Sequence, residues 1–174
     1  MADRQATGRT QLERMKRLGR NLPGIATLLF ISWAAIAEPS KATRIHVDKS
    51  ERILKLIRNG EPFRTYPVAL GDNPRGHKLF EGDERTPEGL YLIDGRNPNS
   101  GYYLSLSISY PNSRDIARAR ARGLDPGGQI MIHGTPDPNR RRYDWTDGCI
   151  AVSNSAMDEI WRLVDEGTLI EITP

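Results

Sequence analysis

Apolar positions along the chain fall into three kinds of run. Ile25 to Ala37 form an almost unbroken apolar stretch. From residue 45 onward, short runs rich in β-branched residues are separated by Gly, Pro, Asn and Asp. Near the C-terminus Met157, Ile160, Trp161 and Val164 recur at helical spacing. Ile45 and Val47, then Ile53, Leu54, Leu56 and Ile57, predict two strands. Asn59-Gly60 follows, and Phe63, Tyr66, Val68 and Leu70 resume the pattern, which is a strong local hairpin signal. Residues 71–89, broken by Gly71, Pro74, Gly76, Gly82, Pro87 and Gly89, predict a long loop. Leu90 to Ile93 and Tyr102 to Tyr110 read as strands; in the second, Tyr103, Ser105, Ser107 and Ser109 alternate with Leu104, Leu106 and Ile108. Ser113 caps a short helix over 114–122 that stops at Gly123. Gln129 to Ile132 is a buried-type strand, and 134–148 a loop. Ser153 or Asn154 caps an amphipathic helix ended by Gly167, and Thr168 to Ile172 is a closing strand. Many short strands and few helices predict a mostly β domain.

The apolar stretch changes the reading of what precedes it. Residues 1–24 carry six basic side chains against Asp3 and Glu13, and the stretch ends in Ala35-Ile36-Ala37. A basic lead, a short apolar core and a small-x-small end are the parts of a secretory signal peptide, so residues 1–37 are expected to direct export to the periplasm or cell envelope. Left uncut, the segment would serve as a membrane anchor; a buried helix of a cytosolic protein is the other reading. The 13-residue, mostly apolar run falls short of the roughly 20 apolar residues that a span requires.

Charge follows the same division. The chain of 174 residues has a formal charge of +3. The leader contributes six basic and two acidic residues, leaving 19 basic and 20 acidic in the other 137. No net positive field remains there to attract phosphates, so a nucleic-acid partner is not expected. One cysteine excludes an internal disulfide and a multi-cysteine metal site, and neither a metal nor a cofactor is expected.

That cysteine, Cys149, follows a loop and begins an apolar stretch. A single cysteine is commonly a small buried hydrophobe. As a nucleophile it needs a base nearby. His46 alternates with Ile45 and Val47 and should face solvent; His77 lies in a Gly/Pro-rich loop and reads as solvated. His133 ends a buried strand and is followed by Gly134-Thr135-Pro136, where the chain must turn. It is held firmly yet open to a cleft, 16 residues before Cys149.

Ile132-His133-Gly134-Thr135, a ten-residue spacer through Trp145, and Thr146-Asp147-Gly148-Cys149-Ile150 resemble the signature of the L,D-transpeptidase catalytic domain family (YkuD type). Thr86-Pro87-Glu88-Gly89-Leu90-Tyr91 resembles the family's upstream motif, and the resemblance covers residues 43–173. It implies an L,D-transpeptidase-type β sandwich with a few short helices. It also implies a cysteine acyltransferase acting on peptidoglycan stem peptides, with acylation by carbapenems and a place in cell-wall biogenesis and cell shape. Cys149 would be the nucleophile and His133 the general base and acid. The Gly134 carbonyl would orient the imidazole, and amides at Gly148 and Cys149 would form an oxyanion hole. Thr146 and Asp147 are candidate substrate contacts.

Two positions depart from the family pattern. Asp147 stands where histidine is frequent, and Ala151 where an arginine is thought to hold a substrate carboxylate. Arg140, Arg141 and Arg142 could supply that contact, or form a solvated charge run. Asp147 could equally be a turn residue. An L,D-carboxypeptidase using the same acyl-enzyme, and a catalytically silent wall-binding domain, are the alternatives.

Overall fold

The computed structural model describes residues 40–137 and 144–174. The expected leader (1–37) and Arg140, Arg141, Arg142 and Tyr143 lie outside the described residues. The strands are β1 (Arg44–Asp48), β2 (Ile53–Arg58), β3 (Glu61–Pro67), β4 (Gly89–Ser100), β5 (Tyr103–Ile108), β6 (Met131–His133), β7 (Ile150–Ala151) and β8 (Leu169–Thr173). Two helices, α1 (Ser113–Arg120) and α2 (Asn154–Leu163), complete the described part.

The hairpin expected from the alternating pattern is present. β2 and β3 pair antiparallel around Asn59 and Gly60, whose φ angles of 54° and 85° are those of the tight turn that matches strand twist. β1 lies between β2 and β8, antiparallel to the first and parallel to the second. The strand order is β3-β2-β1-β8-β4-β5-β6-β7. β4 belongs to both halves: Gly89 to Leu92 pair with β8, and from Ile93 on it pairs with β5 across register shifts at Ile93/Gly95 and Asn97/Ser100. Such shifts bend a strand, and here they turn it from one half to the other. The bridge Ala69↔Ala151 joins the segment after β3 to β7, so the two ends of the strand order meet.

One apolar core fills the space between. Ile45, Val47, Leu54, Leu56, Ile93, Leu106, Ile132, Ile150, Ile170 and Ile172 are buried from the strands, and Met157, Ile160 and Val164 from α2 or its end. Each such side chain contributes roughly 1.5–3 kcal/mol of burial. α2 is amphipathic as the spacing requires, and its Ser153 cap accepts from Ala156 N. Arg96 closes the other end: it donates to the carbonyls of Trp161 (2.8 Å) and Val164 and stacks on the Trp161 ring at 4.0 Å.

Several expectations are corrected. α1 begins one residue early in its cap: Asn112, not Ser113, accepts from Arg114 N and Asp115 N, and Asp115 returns a bond to the Asn112 N–H. The cap with the better reciprocal partner wins. The helix ends at Arg120, not Arg122. β4 runs on beyond the expected Leu90 to Ile93 through the polar residues Asp94 to Ser100, which carry no apolar alternation because this part of the strand is largely open to solvent. His77 is not solvated: its side chain is 14% exposed, with Nε2 3.1 Å from Asp115 Oδ1 and Nδ1 taking the Glu88 N–H at 3.0 Å. Burial, the nearby Arg118 charge second, pushes its pKa down.

Candidate active site

The 86–91 motif frames the site from behind. Thr86 is fully buried, and its hydroxyl accepts from Gly71 N at 3.1 Å. Buried Lys49 donates to the carbonyls of Gly76 (2.7 Å) and Thr86 (3.0 Å) and to Glu88 Oε1 (2.8 Å). Three acceptors satisfy the ammonium's three donors, which is what a buried cation requires. Burial lowers the Lys49 pKa against the opposing pull of Glu88. Tyr91 places its hydroxyl 3.0 Å from Asp115 Oδ2, binding the motif to α1.

The segment after β3 then reaches the nucleophile's loop. Leu70 O accepts from Trp145 N (3.0 Å) and Thr146 N (3.1 Å), and Asp72 N donates to Thr146 O at 2.9 Å. Asp144 is held by Arg52, 2.8 Å from Nη2, and takes the Leu70 N–H at 2.9 Å. Thr146 is buried; its hydroxyl donates to Cys149 O (2.8 Å) and accepts from Gly148 N (3.2 Å). The expected substrate contact Thr146 therefore braces the turn, and the Gly148 amide, expected at an oxyanion hole, is engaged by it. Gly148 has φ +124°, and a Cβ there would stand 2.6 Å from the Arg85 carbonyl.

β6 and β7 bring the two expected catalytic residues to one face. Ile132 pairs with Ile150 and His133 with Ala151 in parallel register, so both isoleucines enter the core while His133 and Cys149 lie on the opposite face. His133 and Cys149 line one cleft of about 580 Å³, with Tyr102, Met131, Trp145 and Asp147. Tyr102 lies over the imidazole with centroids 4.6 Å apart, and Trp145 meets its edge at 5.7 Å. His133 Nδ1 donates to Gly134 O at 2.6 Å, as the resemblance implied, which leaves Nε2 for the cleft. Burial pushes the His133 pKa down, with the Gly134 carbonyl opposing, so the ring is neutral at neutral pH. The Cys149 thiol donates to Gln129 O at 3.6 Å. Burial pushes its pKa up, the Met131 amide pulls it down, and the Asp147 carboxylate raises it further. A neutral imidazole and a protonated thiol lining one cleft suit proton transfer during attack, not a resting ion pair.

Other residues of the site were not legible in the sequence. Ser105 sits directly across from His133 in the β5–β6 ladder, fully buried, its hydroxyl without a partner among the described residues. Asn154 does not cap α2; its Oδ1 accepts from Thr135 N at 2.8 Å. Asp147 is exposed at the cleft. Ala151 is buried, and its methyl offers a carboxylate nothing. His46 lies 3.1 Å from Thr173 Oγ1 in β1, away from the cleft. No group of three or more His, Cys, Asp or Glu among the described residues could hold a metal.

A mostly β fold that presents a thiol and a backbone-tethered imidazole to one cleft can carry out acyl transfer through a thioester. Residues 42–172 match the family described as YkuD, L,D-transpeptidase catalytic domain, and the chain belongs to that family. It is 33% identical over 127 residues to YafK of Escherichia coli (strain K12), covering 69% of this chain and 46% of that protein. It is 30% identical over 136 residues to YkuD of Bacillus licheniformis, covering 75% and 66%. The L,D-transpeptidase assignment in both names is provisional. The crystal structure of the helical cell shape determining protein Pgp2 from Campylobacter jejuni superposes with a TM-score of 0.60 at 26% identity, over 76% of this chain and 48% of that one. The chain thus spans about half the length of YafK and Pgp2.

Proposed function

We propose that the protein is a peptidoglycan L,D-transpeptidase in which Cys149 is the nucleophile. The observation that carries this reading is the register of β6 and β7, which turns His133 and Cys149 to one cleft of a fold whose family acts by that name. His133 Nε2 takes the Sγ proton as sulfur attacks the carbonyl preceding the terminal D-alanine of a tetrapeptide stem. The Cys149 amide is the donor for the developing oxyanion. As the tetrahedral intermediate collapses, the C–N bond breaks, His133 returns the proton to the departing amine of D-alanine, and a thioester remains. An amine of a second stem then attacks, giving a cross-link; water in its place gives carboxypeptidase activity. We place the protein in the cell envelope, after export directed by residues 1–37, where it remodels the wall.

The test is intact mass after incubation with disaccharide-tetrapeptides, and separately with a carbapenem. An adduct on Cys149 that is lost in Cys149→Ala and suppressed in His133→Ala is expected. No adduct, or one that survives Cys149→Ala, overturns the reading. Products formed with and without an added acceptor stem then divide transfer from hydrolysis.

A further inference from the structure

The peptide group between Gly134 and Thr135 is bonded on both sides. Its carbonyl accepts from His133 Nδ1 at 2.6 Å, and its N–H donates to Asn154 Oδ1 at 2.8 Å. We propose that Asn154 is a positioning residue for His133, acting through this one peptide plane as the third member of the site.

Three features support the assignment. Ser153 takes the capping role at α2, accepting from Ala156 N at 3.2 Å, which frees the Asn154 side chain to turn toward β6. The position before Thr135 is glycine, and a Cβ there would stand 2.5 Å from Asn154 Oδ1, so the close approach of the amide to this turn depends on that residue. Val152 N also donates to His133 O at 2.9 Å, so the start of α2 and the end of β6 are bolted at two points.

The chemistry follows from hydrogen-bond polarisation. An acceptor on a peptide N–H increases the amide's charge separation and makes its carbonyl a stronger acceptor. That carbonyl fixes the Nδ1–H tautomer, keeps Nε2 unprotonated for the thiol, and stabilises the imidazolium formed when the thiol proton is taken. The role is analogous to a carboxylate or amide bonded directly to a catalytic histidine, with a peptide interposed.

The inference deepens the proposed function and rests on it for its catalytic meaning, so the experiment has one readout that does not require activity. The full chain labelled with ¹⁵N-histidine is titrated by NMR in the parent, Asn154→Ala and Asn154→Asp, the His133 signals being assigned by their loss in His133→Gln. The titratable groups that line the cleft with His133 are Lys78, Glu81, Tyr102, Asp125, Asp147 and the Cys149 thiol, and Ser105 lies across from it in β5; the variants alter none of them. Asn154→Ala should lower the His133 titration midpoint. Asn154→Asp, which keeps an acceptor oxygen in place and adds charge, should raise it. Acylation of Cys149 by a carbapenem should fall on the order of 10-fold or more in Asn154→Ala and be largely kept in Asn154→Asp. Superimposable titrations in all three proteins overturn the proposal, as does an equal rate loss in both variants with an unmoved midpoint. If Asn154→Ala does not fold, Asn154→Asp carries the test: an unmoved midpoint refutes the relay. A parent that is never acylated removes the proposed function and leaves the titration to decide the relay.

Discussion

Replacing Gly148 by alanine tests how rigidly the nucleophile is held. The residue adopts φ +124°, a conformation in which an L side chain is strained by about 1–3 kcal/mol. Its added methyl would stand 2.6 Å from Arg85 O and 3.3 Å from Ile130 Cδ1, and overpacking of this kind costs about 1–3 kcal/mol more. Gly148→Ala should therefore lose about 2–6 kcal/mol, which at roughly 4 °C per kcal/mol is a fall in Tm of roughly 8–24 °C. Gly60→Ala is the control. Gly60 has φ +85° with no neighbour within 4 Å of the added Cβ, so it should lose only the left-handed cost of about 1–2 kcal/mol. Urea unfolding gives both losses. Carbapenem acylation, read where both proteins are folded, gives the functional half: a loop displaced by a few tenths of an ångström to 1 Å should slow Gly148→Ala by up to about 100-fold and leave Gly60→Ala unchanged. Equal destabilisation in the two variants, with acylation intact, would refute the reasoning, because it would show that the Arg85 carbonyl yields to the methyl.

Asp147→Asn removes the carboxylate that raises the Cys149 thiol, so the rise of acylation rate with pH should move to lower pH; an unmoved profile counts against that coupling. Lys49→Ala strands Glu88 and two carbonyls and should cost about 3–5 kcal/mol in urea unfolding. Lys49→Met, which keeps the apolar stem, should lose less, and a loss under 1 kcal/mol in Lys49→Ala would contradict the burial argument. His77 and His133 both have folded pKa values below the ordinary 6.5, so below that pH the unfolded chain binds more protons than the folded one. Stability should thus fall as pH drops through 6.5 and level off below the folded values, and His77→Gln should flatten the slope.

Most of the strands, and the placing of His133 and Cys149 at one cleft, were legible because each leaves a local mark. Alternation with Asn59-Gly60 marks the first hairpin, and a histidine at the end of a buried strand followed by Gly134 marks a side chain held at an opening. What escaped depends on residues distant in sequence. His77 reads as solvated until Asp115 is brought beside it, and Lys49 as an ordinary surface cation until Gly76, Thr86 and Glu88 surround it. Ser105 looks like one more polar alternate in β5; only the β6 register places it beneath His133. Asn154 and Ser153 are equally good caps by residue type, and only the position of Thr135 N separates their tasks.

The meeting of the two ends of the strand order has a consequence for when reactivity arises. The loop bearing Cys149 is clasped by residues 69–72, which follow the first hairpin, while the imidazole in its cleft comes from residue 133 and the amide bonded to Thr135 N from residue 154. No contiguous stretch holds these parts, and contacts so far apart in sequence form late in folding because loop closure must precede them. During folding the sulfur is an unremarkable thiol. Burial in the finished fold pushes its pKa up, so labelling by a thiol reagent should slow at the last closure, and that slowing serves as a clock for completion of the fold.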